Sequence, residues 1–304
     1  LYRRKMVRKL EFTMEIGIIG FGYVGKAMHS VLSPHYKVRT YDTNGNGSST
    51  KVDDVIKKSK VIFVCVPTPM KKDGSCDTSI VEKVIKDINK TAKGKWYNPD
   101  SELKIVVIKS TVPPGTTERL NKEYKKKRGV VTVIFNPEFL TERHFLEDIK
   151  NPKRIILGGP RPQTTTLKQL YSRVYPTTPI IKTGSNTAEM VKYFINAFLA
   201  TKVSFANEIY KICEKLDIDY DKVVEYVLYD DRIGKSHLTV PGPDDEFGFG
   251  GHCLPKDLNA LISVAVENSL GLYINVLSGV LETNDKVRKN RDWEEMKGRA
   301  VVDE

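Results

Sequence analysis

The chain contains 304 residues, of which 40% are hydrophobic and 29% charged, and its 49 basic and 38 acidic side chains give a net charge of +11. This composition is typical of a globular protein of about two domains and excludes disordered, collagen-like and coiled-coil chains. No apolar run approaches the roughly 20 residues of a membrane-spanning helix, so no membrane association is expected.

A basic segment comes first. Residues 1–13 carry five basic side chains and a single acidic one, which predicts a disordered tail, with a basic arm for an acidic partner as the alternative. A second basic cluster at residues 122–128 contains a single aromatic side chain, Tyr124, and not a series of stacking platforms. That pattern favours a solvated helix face over a nucleic-acid site, so no nucleic-acid partner is expected.

From Met14 onward, short apolar runs alternate with segments of helical period, the pattern of a parallel sheet with crossover helices. Their continuous hydrophobicity indicates strands that are covered on both faces. Residues 14–185 are therefore predicted to form one α/β domain around a doubly wound parallel sheet. The predicted strands are Ile16–Ile19, Lys37–Tyr41, Val61–Val66, Ile105–Ile108, Val130–Phe135, Arg154–Leu157 and Pro179–Lys182.

An all-helical domain is predicted next, at residues 186–290. One long helical pattern covers 186–215, shorter ones cover 220–229, 256–269 and 273–289, and a loop rich in Gly and Pro lies between Gly234 and His252. A loop of that length without its own secondary structure is often functional. Residues 291–304 are predicted to be a charged tail.

The four cysteines form no C-x-x-C pair and no disulfide framework, which suits a reducing cytoplasm. Cys65 and Cys213 are predicted to be inert core thiols, and Cys76 to be an exposed loop residue. No His/Cys cluster has the spacing of a metal site, so no metal is expected.

A G-x-G-x-x-G motif, Gly20 to Gly25, follows the first strand and opens a helix. Such glycines allow a tight turn and a close approach of a pyrophosphate, which the helix N-terminus then binds. Asp42 ends the second strand 20 residues after Gly22, where a carboxylate binds the ribose hydroxyls of NAD. A turn that only packs would leave Asp42 unexplained, so the motif predicts a Rossmann-like NAD-binding domain.

Polar residues follow three further strands. Thr68 and Thr111 come where a parallel sheet presents its ligand side, although Thr116 or Thr117 in the second of these segments also suits a helix cap. Glu138 and Glu142 are four residues apart. In a helix they share one face and suit acid–base work, or they compensate the helix dipole.

Two motifs suggest covalent chemistry. Lys192 and Asn196 lie four apart on an otherwise apolar helical stretch, where a lysine snorkels, pairs with a carboxylate or binds an anion, and where both suit an oxyanion. Cys253 precedes Pro255, which favours a helix start, and Asp257 lies one turn further. A thiol at a helix N-terminus near a lysine is expected to be nucleophilic. With NAD, it would convert an aldehyde through a thiohemiacetal and a thioester to an acid.

These motifs together resemble the UDP-glucose/GDP-mannose dehydrogenase family, in order from Met14 to about Asn284. They are Gly-Phe-Gly-Tyr-Val-Gly, Val-Pro-Thr-Pro, Ser-Thr-Val-Pro-Pro-Gly-Thr, Asn-Pro-Glu-Phe-Leu, Lys192 with Asn196 ahead of Asn207-Glu208, Arg232-Ile233-Gly234, and Gly-Phe-Gly-Gly-His-Cys-Leu-Pro-Lys-Asp.

The resemblance implies that Cys253 forms the thioester while Lys192 and Asn196 stabilise the oxyanions. Asp257, with Thr111 and a water, would accept the proton of the first oxidation. Glu142 would assist the hydrolytic water, and Glu138 would orient Lys192 or the substrate. The implied cofactor residues are Gly20, Gly22, Tyr23, Val24, Gly25, Asp42, Thr68, Thr111 and Lys256. The implied substrate residues are Phe139, Leu140, Arg232, Phe247, Gly250 and Gly251.

The resemblance also implies NAD as the cofactor, a nucleotide sugar as the substrate and a homodimer through residues 186–215. UDP-glucose is the expected sugar, with GDP-mannose and UDP-N-acetylmannosamine as alternatives. In the alternative to a dimer, the helices at 256–289 cover the long helix within one subunit. The family's third domain has no counterpart before Glu304, so a separate polypeptide supplying it, or a catalytically silent NAD-binding protein, is also considered. A two-electron hydroxy-acid dehydrogenase would not need the cysteine.

Overall fold

The computed structural model describes residues 14–94 and 103–303, so the predicted basic tail at 1–13 lies outside the described residues. The chain forms two compact units. The first contains the described residues up to Thr68 and those from Thr78 to Lys192, and the second contains Pro69–Asp77 and the residues from Tyr193 onward. Nowhere in these two ranges does a helix combine the length and the hydropathy needed to cross a membrane.

The first unit is built on one seven-stranded sheet, and every predicted strand is confirmed. The strands are β1 (Glu15–Ile19), β2 (Lys37–Tyr41), β3 (Val61–Val64), β4 (Lys104–Ile108), β5 (Val131–Phe135), β6 (Ile155–Gly158) and β7 (Ile180–Thr183). Their order is β2-β1-β3-β4-β5-β6-β7. The strand order therefore reverses between β1 and β3, and open α/β sheets bind their ligands at such a point.

The sheet is parallel with one exception. β5 and β6 are antiparallel, through the pair Phe135 and Gly158, while β6 and β7 are parallel to each other. The predicted doubly wound parallel sheet is confirmed apart from this one antiparallel pair. The connection from β5 to β6 contains only the four-residue helix Phe145–Asp148, and an antiparallel neighbour needs no crossover helix.

Helices cover both faces of the sheet. They are α1 (Tyr23–Leu32), α2 (Val52–Lys58), α3 (Ser79–Lys93), α4 (Thr116–Lys126), α5 (Phe145–Asp148) and α6 (Arg161–Val174). Successive side chains of β3 enter opposite cores, with Phe63 in one cluster and Ile62 and Val64 in the other. Burial on both faces explains why the strands are continuously apolar.

The second unit is helical, as predicted. Its elements are α7 (Ser185–Lys215), α8 (Tyr220–Val227), α9 (Leu254–Glu267) and α10 (Asn275–Val287), with 3₁₀ turns at Gly271–Tyr273 and Asp292–Glu294. Residues 234–252 form neither helix nor strand. The predicted domain boundary at 185/186 lies at the start of α7, whereas the compact units divide after Lys192. The first turns of α7 belong with the sheet because Ala188 packs into one of its core clusters.

The end of the described chain is not the predicted charged tail. Trp293 and Ala300 are buried, and the Met70 N–H donates to the Ala300 carbonyl at 2.8 Å while the Val302 N–H donates to the Met70 carbonyl at 3.0 Å. Charged neighbours conceal this packing in the sequence, because Arg291 lies over the Trp293 ring at 5.1 Å and pairs with Asp285.

Candidate active site and cofactor-binding loop

The glycine motif forms the turn between β1 and α1. Gly20 has φ +92°, and a Cβ there would collide with the Cys65 carbonyl, so only glycine suits the position. α1 begins at Tyr23 with Gly22 at its N-cap and without a side-chain cap. A Cβ at Gly22 would meet no atom within 4 Å. This open space beside a helix N-terminus fits the pyrophosphate of a dinucleotide.

Asp42 lies at the same edge of the sheet, because β1 and β2 are parallel neighbours with Ile19 opposite Tyr41. The Asp42 carboxylate accepts a hydrogen bond from the Phe21 N–H at 2.5 Å. The carboxylate that the sequence predicted for the ribose is thereby brought to the glycine turn.

The predicted threonines follow β3 and β4, the next two strands of the sheet after β1. Thr68 is buried after β3, and Thr111 follows β4. The Ser110 hydroxyl donates to the Val66 carbonyl at 2.6 Å and joins the two loops. Tyr23 and Val24 occupy the first turn of α1, and the Tyr23 ring contacts Phe145 at 5.1 Å.

Glu138 and Lys192 form a buried ion pair in the first unit. Their atoms Oε1 and Nζ are 3.0 Å apart, and the side chains are 12% and 6% exposed. Burial alone would raise the pKa of Glu138, but the charge of Lys192 and the Leu140 N–H outweigh it, and the pKa lies below its ordinary value. The buried lysine that the sequence indicated has therefore found a carboxylate partner.

The segment around Glu138 is not helical, so Glu138 and Glu142 do not share a helix face. The Glu138 carboxylate accepts from the Leu140 N–H at 2.7 Å, which closes a local turn instead. Glu138 is largely buried and Glu142 is exposed. Phe139 lies beneath two cations, with Arg154 at 4.5 Å and Lys192 at 5.8 Å from the ring centre.

Lys109 is a charged residue beside this ion pair that sequence reasoning missed. It follows β4, is 5% exposed, and donates to Asn136 Oδ1 at 3.1 Å. Burial lowers the pKa of Lys109 to about 8, and burial raises the pKa of the neighbouring Cys65 thiol to about 12. A cavity of about 260 Å³ is lined by Lys109, Asn136 and Glu138 among others. A lysine directly after the apolar run Ile105–Ile108 is the signal that could have identified it.

Glu189 is a second missed residue, and it caps α4. Its carboxylate accepts from the Gly115 N–H at 2.7 Å and the Thr117 N–H at 2.9 Å. The expected threonine cap is therefore wrong, since the Thr116 hydroxyl donates to the Pro113 carbonyl. Burial raises the pKa of Glu189 although both amides oppose the shift.

A second polar group surrounds the start of α9 in the helical unit. Half-buried Cys253 is the N-cap residue of α9, with Pro255 in the first turn. Its carbonyl accepts from the Asp257 N–H at 2.9 Å. The predicted helix start after Cys253 is confirmed.

The Asp257 carboxylate is buried between two partners. Asn196 Nδ2 donates to one oxygen at 2.5 Å, and Lys256 forms an ion pair with the other. Burial would lower the pKa of Lys256, but the charge of Asp257 outweighs it and raises that pKa. Asn196 and Asp257, which the sequence singled out separately, therefore lie in direct contact, and Lys256 is engaged with the same carboxylate.

The remaining predicted residues are more dispersed. Arg232 is exposed and pairs with Asp230 at 2.5 Å, whereas Phe247 packs edge-on against Tyr210 at 5.5 Å. Gly250 and Gly251 precede Cys253 in the same loop. Cys65 is half-buried against a core cluster of the sheet and Cys213 is buried, but Cys76 is buried as well. The prediction for Cys76 is wrong because Met70 bridges to it and Tyr193 and Ala260 pack on it.

Comparison with known proteins decides the family. Residues 35–177 match the NAD-binding domain of the UDP-glucose/GDP-mannose dehydrogenase family, and residues 186–286 match its central domain. The chain belongs to this family. NAD is its cofactor, and the glycine turn and Asp42 fit that group. Within 14–94 and 103–303, no group of three or more His, Cys, Asp or Glu side chains could hold a metal ion.

Individual members of the dehydrogenase family are similar to most of this chain. UDP-glucose 6-dehydrogenase TuaD of Bacillus subtilis is 36% identical over 78% of this chain and 49% of its own length. The putative UDP-glucose 6-dehydrogenase YtcA of the same organism is 31% identical over 89% of this chain and 71% of its own. A UDP-glucose dehydrogenase structure from Pyrobaculum islandicum has a TM-score of 0.79 at 29% identity, covering 91% of this chain and 69% of that one. The chain spans about half the length of TuaD and of several other curated relatives.

Proposed function

We propose that this nucleotide-sugar dehydrogenase oxidises the C6 alcohol of UDP-glucose to a carboxylate, consuming two NAD and one water and releasing two NADH. The observation that supports it best is the half-buried Cys253 thiol at the N-terminus of α9, one turn ahead of buried Asp257. A two-electron dehydrogenase needs no such nucleophile, whereas an aldehyde intermediate must be trapped before it can be oxidised again.

In the proposed reaction, the glycine turn and Asp42 would hold NAD, which would supply the hydride acceptor for both oxidations. Asp257, with Thr111 and a water, takes the hydroxyl proton as the alcohol becomes an aldehyde. The Cys253 sulfur then adds to the aldehyde carbon to give a thiohemiacetal, and loss of hydride leaves a thioester. Water, assisted by Glu142, cleaves the thioester to the acid and regenerates the thiol.

Polar contacts within each unit support the roles proposed for Lys192, Asn196 and Glu138. Lys192 and Asn196 are proposed to stabilise the alkoxide and the thiohemiacetal oxyanion, since preorganised donors in a buried site act strongly on developing charge. Glu138 is proposed to orient Lys192, because it holds the ammonium at 3.0 Å. Asn196 and Lys256 are proposed to orient the Asp257 carboxylate, since each contacts one of its two oxygens.

The substrate assignment rests on the relatives and is tested by comparing sugars. Initial rates of NADH formation are to be measured with UDP-glucose, GDP-mannose and UDP-N-acetylmannosamine, alongside NAD binding. The proposal expects UDP-glucose to give the highest kcat/KM. Preference for another sugar would reassign the substrate, and bound NAD without turnover of any sugar would favour a catalytically silent protein. None of the four cysteines, all of which lie in the described part of the chain, forms a disulfide, and this supports a reducing location such as the cytoplasm.

A homodimer through α7 is also proposed. Along this helix the apolar side chains of Phe194, Phe198, Phe205 and Ile212 are between 52% and 65% exposed, and Leu216, directly after the helix, is 62% exposed. Their exposure supports the dimer over the alternative in which the helices at 256–289 cover α7 within one subunit. Exposed apolar stripes of this size mark interaction surfaces.

The dimer proposal predicts that Phe198→Glu yields a monomer in sedimentation velocity. Leu272→Ser is the matched control, because Leu272 is 87% exposed and lies outside α7. A Phe198→Glu chain that sediments like the wild type would contradict the proposed interface.

A further inference from the structure

The loop that leads into Cys253 is held by side chains from distant parts of the helical unit. The Gly248 N–H donates to Asn207 Oδ1 at 3.1 Å, and the Phe249 N–H donates to Asn284 Oδ1 at 2.7 Å. Asn284 is fully buried and returns a hydrogen bond to the Phe249 carbonyl at 3.1 Å. Hydrogen bonds with Asn207 and Asn284 therefore fix the loop backbone at Gly248 and Phe249, ahead of Cys253.

Asp292 contacts the loop at Gly251, close to the cysteine. Both of its carboxylate oxygens lie 3.1 Å from the Gly251 nitrogen, two residues before Cys253. The carboxylate is itself held by Arg288, whose Nη2 lies 3.3 Å from Oδ1. Asp292 belongs to the segment that the sequence predicted to be a tail.

Arg288 is a buried anchor for this carboxylate. Its side chain is 1% exposed, and Nη1 pairs with Asp244 at 2.7 Å while Nε donates to the Asn290 carbonyl at 2.6 Å. The fork of the guanidinium is therefore fixed from three directions, which fixes Asp292 in turn.

Gly250 and Gly251 leave the space that Arg288 and Asp292 occupy beside the loop and allow its backbone conformation. A Cβ at Gly250 would collide with both the Arg288 guanidinium and the Asp292 carboxylate. Gly251 has φ +69°, a backbone conformation that side chains disfavour. Glycine at position 250 is therefore required by the contact with Arg288 and Asp292, and not only by the turn of the backbone.

A buried ion pair contributes little net stability, since desolvation offsets its attraction, but it can specify one geometry. We infer that Arg288 and Asp292 are positioning residues for the Cys253 nucleophile, holding the Gly251 amide so that the thiol stays at the N-terminus of α9. This inference rests on the proposed role of Cys253. A role in folding alone would leave the reactivity of the native thiol unchanged.

The test measures the reactivity of the thiol without any substrate. Cys253 is alkylated with iodoacetamide at a fixed neutral pH, and its peptide is quantified by mass spectrometry in the folded full chain. Asp292→Ala removes the acceptor, Asp292→Asn keeps one oxygen for the Gly251 N–H, and Asp285→Asn is the matched control. Asp285 pairs with Arg291 at 2.9 Å and is 41% exposed.

We expect Asp292→Ala to slow alkylation by about fivefold, because the displaced thiol loses the helix terminus that favours its thiolate. Asp292→Asn should recover most of the rate, and Asp285→Asn should match the wild type. Amide exchange of the Gly251 peptide should accelerate about tenfold in Asp292→Ala. If that variant does not fold, Arg288→Lys, which keeps the charge and loses the fork, takes its place with the same expected slowing.

An alkylation rate in Asp292→Ala equal to or above that of the wild type would overturn the inference, as would equal slowing in Asp285→Asn. The result does not depend on turnover. A wild-type chain that forms no NADH with any sugar would refute the proposed function, while the alkylation rates would still decide the role of the pair.

Discussion

Replacing Lys109 by methionine should stabilise the protein at neutral pH. Methionine is similar in length and volume but carries no charge. Lys109 is buried, and it faces Glu138, Lys192 and the Cys65 thiol. Asn136 Oδ1 keeps its hydrogen bond from the Tyr171 hydroxyl at 2.5 Å when the lysine is lost, so the substitution leaves no acceptor unsatisfied.

The expected gain in the free energy of unfolding follows from the lowered pKa of Lys109. Its pKa of about 8 in the folded chain compares with an ordinary 10.5, and each pKa unit is worth about 1.4 kcal/mol. Between these two pH values the unfolded chain binds the proton and the folded chain does not, so wild-type stability rises with pH. At pH 7 both states are protonated, and the folded state bears the whole penalty of about 3 kcal/mol. At pH 10 about 1 kcal/mol of it remains.

The assay is urea unfolding of both proteins at pH 7 and pH 10. Lys109→Met should exceed the wild type in free energy of unfolding by about 3 kcal/mol at pH 7 and about 1 kcal/mol at pH 10. The titration of Cys65 affects both proteins and cancels in the difference. Lys153→Met is the control, since Lys153 lines the same cavity but is exposed. A variant less stable than the wild type at pH 7, or a difference that does not shrink at pH 10, would refute the reasoning.

Three further predictions concern other parts of the site. Asp42→Ala removes a charge-assisted acceptor at the glycine turn, and calorimetry should show weaker NAD binding by about 1.5–3 kcal/mol with a smaller preference over NADP. Glu189→Ala leaves two backbone amides of α4 without their acceptor, and the free energy of unfolding should fall by about 2–4 kcal/mol in urea titrations. Cys253→Ser should abolish the complete oxidation with NAD affinity unchanged, whereas Cys213→Ser should retain turnover; full turnover to acid by the Cys253 variant would remove the thioester mechanism.

The local pattern of the sequence was sufficient for the elements and the motifs. Strands such as Val61–Val64 are continuously apolar because both faces are buried, and the glycine turn and Asp42 meet because adjacent parallel strands end at one edge. Pro255, two residues after Cys253, likewise predicted that a helix begins there. These features depend on periodicity and on fixed spacings, which a single sequence contains.

What remained hidden depends on contacts between distant segments. The antiparallel pairing of β6 is set by tertiary packing and leaves no mark on its apolar run. Cys76 and Trp293 lie in polar or charged surroundings in the sequence, whereas Cys76 is buried by contacts that include Tyr193 and Ala260, which are distant from it along the chain. Partners for buried charges, such as Glu189 for the α4 amides, are likewise chosen across the fold.

The most direct test of the central proposal is the stoichiometry of NADH formation with limiting UDP-glucose, followed to completion with purified protein and excess NAD. A four-electron oxidation through Cys253 predicts two NADH for each UDP-glucose, with UDP-glucuronate as the product. One NADH for each sugar, with an aldehyde or ketone as the product, would contradict the thioester account.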